Sequence, residues 1–279
     1  MDIGSFAQSC ANAYREIGER HGWRKGRNSS RGYDALTLPN GAWDDTPYDR
    51  YLLVVHHHAS SAATQLDSCG GCYSVRSASA VVTLARAVFV ESSKVAWLLE
   101  DDVPWARRAA RAHLELLANL DTQMRRLPKR LDSGYPNFRR KQWKVHREQL
   151  RDNVIEVLFG KRAISRDRDD DMTMAGEVLL TSTQLEEDFA ELISVNGLDS
   201  LRGSAYVVAP DVLIDPLLPV EVRLDVALVV DDAVVQQSLV IAIEAWLAAL
   251  DAWARYNGWE TTTIDALGHQ LPRLLGHSC

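Results

Sequence analysis

The chain has 279 residues, 46% of them apolar and 25% charged, which excludes wholesale disorder and allows a substantial buried core. Its net charge of −7 favours solubility and, taken as a total, argues against a dedicated nucleic-acid binder. Four cysteines are too few for a disulfide scaffold of this length, and MDIGSFAQSC lacks the basic start and apolar stretch of a signal peptide. A reduced, cytoplasmic protein is expected.

In chain order, Phe6, Cys10, Ala13, Tyr14 and Ile17 recur at helical spacing and predict an amphipathic helix over 3–20. The loop-rich arm near 22–46 turns to Gly, Ser, Arg and Asn. Asp44, Asp45 or Thr46 can cap a second helix with Pro47 in its first turn, which is expected to stop at Gly70-Gly71. A helix over 74–100 follows. Its sequence, VVTLARAVFVESSKVAWLLEDD, is apolar on nearly every side, so it should be buried and its Arg86, Glu91 and Lys94 need partners.

Asp101 or Asp102 caps the next helix, with Pro104 in its first turn. Leu117, Leu120, Met124 and Leu127 give it a core face, and Arg111–Glu115 and Asp121–Arg125 are spaced as surface pairs. Glu91 is expected to meet Arg107, Arg108 or Arg111 from this helix. After Pro128, Trp143, His146, Leu150, Val154 and Val157 line a helix ending at Gly160. Residues 161–182 read as a charged loop. Thr183 and Glu186 form a capping box for a helix carrying Leu185, Phe189 and Leu192 that ends at Asn196-Gly197. After a connector punctuated by Pro210, Pro216 and Pro219, the segment Val220 to Tyr256 is one long helix or two, closed by Gly258. Its most apolar part, Ser238 to Leu250, is too short to span a bilayer and contains Glu244, so no membrane contact is expected. With no series of alternating strands and no internal repeat, the expected fold is all-α, a single-domain multi-helix bundle of about seven to nine helices.

Charge is unevenly spread. From Pro104 to Arg151 there are 13 Lys/Arg against 4 Asp/Glu, whereas from Asp167 to Asp232 there are 16 Asp/Glu against 3 Lys/Arg. The basic region can be an anion-binding face, or the two regions can pair with each other or across a dimer. Within it, YPNFRRKQWKVHREQLR interleaves aromatic and basic residues, as surfaces that hold phosphates and bases do. The plainer reading is an amphipathic helix with Trp143 in the core.

The stretch TLARAVFVESSKVAWLLEDDVPWARRAARAHLELL, with Arg86, Glu91, Trp97, Leu98, Leu99, Asp101, Arg107, Arg108 and Arg111, resembles a pattern in uncharacterised actinobacterial helical proteins. More distantly, these look like HEPN-type bundles, which include metal-independent RNases, toxins and nucleotide-binding partners. The resemblance implies binding or cleavage of RNA or a nucleotide without a cofactor, a defence or toxin role, and a homodimer. Enzymatic HEPN domains carry Arg and His four to six residues apart. The candidates here are Arg108 with His113, and Arg139 or Arg140 with His146. Chemically, an arginine holding phosphate beside a histidine that moves a proton suits attack by an RNA 2′-hydroxyl.

Acidic segments support a different enzyme class. Asp44, Asp45 and Asp49 fit DDxxxD; Asp169, Asp170, Thr173 and Glu177 fit (N/D)Dxx(S/T)xxxE; and Arg255-Tyr256 is a late Arg-Tyr pair. In this order they resemble type I terpene cyclases, where such residues stack on helical faces and bind Mg²⁺ with a prenyl diphosphate. A non-catalytic helical interaction protein is the third alternative. Cys69-Gly70-Gly71-Cys72 after His56, His57 and His58 supplies at most part of a zinc site, and otherwise reads as a helix connection flanked by small buried thiols.

Overall fold

The computed structural model describes residues 2–23, 29–30, 47–126, 135–150, 155, 164–166, 172–193 and 232–275. Among these the chain forms α1 (Ile3–Arg20), α2 (Pro47–Ser74), α3 (Ala78–Leu98), α4 (Trp105–Arg126), α5 (Tyr135–Leu150), β1 (Ile164–Arg166), β2 (Met172–Met174), β3 (Glu177–Val178), α6 (Ser182–Leu192), α7 (Asp232–Asn257) and α8 (Thr262–Leu274). It is an all-α multi-helix bundle with one small sheet. The chain divides into two compact units. The first comprises Met1–Thr37, His56–Leu99 and Ser182–Cys279; the second comprises Leu38–Val55 and Glu100–Thr181. Asp44, Asp45, Asp169, Asp170, Val154, Val157 and most of the 22–46 arm lie outside the described residues.

The first unit is built around α7, which packs on α3, α1 and α8. This helix is 26 residues long with a mean hydropathy of 1.7 in its most apolar window, so by length and composition it could cross a membrane. The apolar run is therefore longer than Ser238–Leu250, but 61% of that window is buried in the protein, as in a core helix. Trp246 is fully buried and its indole Nε1 donates to the Cys10 carbonyl at 2.9 Å. In α3 only Thr83 is exposed between Ala80 and Leu98, as an all-round apolar helix requires.

Two helices of this unit end in the same way. At the end of α1, Gly22 N donates to Glu19 O and Trp23 N to Gly18 O, with Gly22 at φ 57°. At the end of α7, Gly258 N donates to Arg255 O and Trp259 N to Ala254 O, with Gly258 at φ 67°. Both are Schellman caps, in which a left-handed glycine turns the chain and the next residue folds back on the helix. That next residue is tryptophan in both cases, and the two indoles lie 6.1 Å apart. The helix α8 had no counterpart in the sequence reading; only Ile264 and Leu271 are buried in it, too sparse a stripe to register.

The helix α2 does not stop at Gly70-Gly71 but runs on to Ser74. The reason is close packing: a Cβ on Gly70 would sit 2.4 Å from the Gly4 carbonyl oxygen of α1. Glycine is thus used for helix contact and not for a turn. Gly70→Ala is expected to destabilise the protein by about 1–3 kcal/mol, because the obstacle is backbone. Gly71→Ala, whose Cβ would meet nothing nearer than 3.8 Å, should be neutral or stabilising by up to about 1 kcal/mol. Thermal melts of the two single variants check this, and equal shifts would contradict it.

In the second unit, α4 packs on α5 and on the hairpin of β2 and β3. Ala110, Leu114 and Leu117 of α4, Leu150 of α5, Met174 of β2 and Ile155 form its core. The three strands pair antiparallel in the order β1-β2-β3, with Met174 opposite Glu177 across the two-residue turn Ala175-Gly176. Both turn residues have positive φ, 51° and 82°, which matches the right-handed twist of a tight hairpin. The charged loop expected over 161–182 therefore contains a sheet. Strands of two or three residues are too short to show an alternating pattern.

Candidate functional site

The helix α5 presents two different faces. Its inner side is fixed by buried Leu150 and by Arg147, whose Nε donates to Asp121 of α4 at 2.8 Å. Asp121 therefore pairs across helices and not along α4 with Arg125. The outer side carries Phe138 at 57% and Val145 at 44% exposure, beside exposed Arg139, Lys141 and His146. Phe138, Arg139, Trp143 and His146 line one shallow groove of about 570 Å³. Arg139 and His146 lie two helical turns apart on this face, roughly 10 Å along the axis.

The other Arg/His candidate lies elsewhere. Arg108 and His113 are 4% and 0% exposed, so neither presents itself to a nucleic-acid strand in this structure. The His113 Nδ1 lies 2.7 Å from the Ala109 carbonyl, which makes it the protonated nitrogen of a neutral ring. Burial pushes this imidazole down to about 4, helped by the Arg50 charge and opposed by the Ala109 hydrogen bond.

The neighbouring arginines are engaged by carboxylates. Glu177 on β3, 5% exposed, accepts from Arg107 Nε and from Arg111 Nε, the latter at 2.6 Å. Arg111 also donates to Glu100 at 2.7 Å. The expected meeting of Glu91 with these arginines is not what forms, and Arg111 and Glu115, expected at the surface, are both buried. Glu177, with its two arginines within reach, holds the sheet to α4.

The charges of α3 find partners inside the first unit. Glu91 faces buried His58 of α2 at 2.5 Å, and Arg86 lies 3.7 Å from Glu186 of α6. Burial raises the Glu91 carboxyl, but the hydrogen bond and charge of His58, with Lys94, outweigh it and leave it below its ordinary value.

The cyclase constellation does not assemble as a helical ladder. Thr173 and Glu177 lie on adjacent antiparallel strands and not two turns apart on one helix face. Thr173 shares a hydrogen bond with Ser165 of β1. Arg255 pairs with Asp251 one turn earlier on α7, Tyr256 is buried, and Asp49 lies in the first turn of α2. Cys69 is buried, its thiol pushed up to about 12 by burial and then by the nearby Cys72, and it donates to Val81 O at 3.4 Å. Among the described residues no group of three or more His, Cys, Asp or Glu could hold a metal ion.

One constellation escaped the sequence reading. The Tyr14 hydroxyl lies 2.5 Å from His56 Nδ1, and Trp23 packs edge-on against both rings, at centroid distances of 5.3 and 5.6 Å. Burial pushes the Tyr14 phenol well above its usual range, while burial and the adjacent His57 push His56 down. A phenol O–H is a stronger donor than a neutral imidazole N–H, and an imidazole nitrogen a stronger acceptor than a phenol oxygen, so the hydroxyl donates to Nδ1 and the ring keeps its proton on Nε2. His56, His57 and His58 diverge, as consecutive helical residues must: His56 meets Tyr14, His58 meets Glu91, and His57 is exposed. The signal that could have marked this place is the Gly-Trp dipeptide, which occurs at both helix ends.

The chain matches no protein-family model, no curated protein and no solved structure.

Proposed function

We propose that the protein binds RNA through the outer face of α5, in keeping with the HEPN-like resemblance of its arginine-rich region. The observation that carries this reading is the exposed Phe138–Arg139–Trp143–His146 groove, an apolar and aromatic strip set among lysines and arginines. A soluble helix gains nothing from exposing Phe138 to water, whereas a base stacked on an aromatic ring contributes about 1–3 kcal/mol. Lys141 and Lys144, both exposed, suit a phosphate backbone. On the same reading, Arg139 grips a phosphate and His146 exchanges a proton with a ribose hydroxyl, with no metal required. The roughly 10 Å between them along one helix favours contribution from two copies in a homodimer over cleavage within one chain. A cytoplasmic location accords with such a role.

The same exposed apolar residues would also suit a protein partner, which is the non-catalytic alternative. Fluorescence anisotropy with a labelled single-stranded RNA separates the two. The expected result is saturable binding that weakens about tenfold in Phe138→Ala and in Arg139→Gln. Cleavage, if observed, should leave a 2′,3′-cyclic phosphate and vanish in His146→Ala. Binding unchanged in both α5 variants would remove the proposal.

A further inference from the structure

The groove between α1 and α2 in the first unit is separate from α5 and has a different chemistry. It encloses about 290 Å³, near the lower end of the range for small-molecule sites. Ala11 and Ala63 are its floor, both under 10% exposed and small enough to leave the space open. Tyr14, Trp23 and His56 wall one end.

That end is rigid. The Trp23 indole lies directly over Gly18, where an added Cβ would come within 2.3 Å of the ring. Its backbone is locked by the cap that ends α1, and its ring lies 6.1 Å from that of Trp259, the equivalent residue of the α7 cap. Trp23 nevertheless keeps 36% of its surface open, high for a tryptophan held on several sides.

The polar groups are sorted by position. Arg15, which follows Tyr14 on α1, lines the groove together with the His56 ring, whose Nδ1 is occupied by Tyr14, so that both offer donors. Asp67, further along α2, offers an acceptor at the other end. Neither Arg15 nor Asp67 has an ion-pair partner among the described residues. A cation without an ion pair, in the same groove as a fixed indole, suits a flat ring that carries negative charge.

We propose that this groove binds a small aromatic anion: a planar ring lying on Trp23, its carboxylate or phosphate held by Arg15 and His56 Nε2–H, and a ring amine or amide directed toward Asp67. An aromatic carboxylate and a nucleoside monophosphate share this chemistry.

The full-length protein is titrated calorimetrically with adenosine 5′-monophosphate in one arm and 4-aminobenzoate in the other. One arm should saturate at a single site in the micromolar to millimolar range, and which arm does so identifies the source. Arg15→Gln and Trp23→Leu should each weaken that binding at least tenfold, while Trp23→Phe, which keeps a ring, should weaken it less. The α5 variants Phe138→Ala and Arg139→Gln should leave it unchanged, which separates this site from the RNA proposal. Melting curves establish that each variant is folded. Saturation in neither arm, or equal binding by wild type, Arg15→Gln and Trp23→Leu, would overturn the inference.

Discussion

Replacing Glu177 with alanine is expected to destabilise the second unit by several kcal/mol, on the order of 3–5 if the full penalty of a broken buried pair applies. The carboxylate is 5% exposed and accepts from two arginines at once. Removing it takes from Arg111, itself nearly buried, its most buried carboxylate contact and leaves the pair with half-exposed Glu100 to answer more of its charge. Arg107 is 50% exposed, so its share is screened by water and adds little. Glu177→Gln keeps the shape and should fall between wild type and alanine. The double variant Glu177→Leu/Arg111→Met should recover much of the loss, because replacing both members with apolar groups removes the unmet charge. Urea denaturation of the set checks this. A midpoint for Glu177→Ala close to wild type would mean that the arginines are not anchored by this residue.

The second large effect is acid sensitivity through His113. Its folded-state value of about 4 lies below the ordinary 6.5 because the ring is buried and cannot take up a proton without loss of its apolar surroundings. Below pH 6.5 the unfolded chain binds a proton there and the folded chain does not, so stability falls as the pH drops from 6.5 to about 4. The full effect is on the order of 3 kcal/mol, taking about 1.4 kcal/mol for each unit. Glu91 acts in a lower window. Its carboxyl is depressed below 4.5, so its contribution is present above that value and is lost only as the pH falls through the depressed one. The stability of His113→Gln and wild type should therefore converge, or cross in favour of the variant, between pH 7 and pH 4.5. Parallel curves over that range would contradict the burial of a neutral imidazole.

What could be read from the residues alone followed the strength of their periodic patterns. The bounds of α1 and the burial of α3 were legible because apolar residues recur at helical spacing over many turns, and Gly258 marked the end of α7. Partner choice was not legible. The expectation that Glu91 meets the α4 arginines rested on proximity in the chain, but His58 and Glu177 answer these charges from elements 33 and 66 residues away. Such pairs depend on topology, which spacing does not encode. Gly70 shows a further limit: the same dipeptide can end a helix or let two helices touch, and only the neighbour at Gly4 decides. The Arg/His candidates had equal claims in the sequence, and burial divided them. The aromatic groove was hidden because its rings come from residues 14, 23 and 56, joined by a cap and a helix contact.

The account turns on which basic residues a nucleic acid meets: the exposed ones on the outer face of α5, and not buried Arg108 and Arg111 of α4. The most direct measurement is the salt dependence of affinity for a single-stranded RNA, compared between wild type and Arg139→Gln/Lys141→Gln. Each phosphate contact removed should reduce the slope of log affinity against log salt by about 0.7. The account predicts a slope shallower by roughly 1–1.5 in the double variant, with its stability unchanged. An identical slope in both proteins, or no binding by the wild type at low salt, would contradict it.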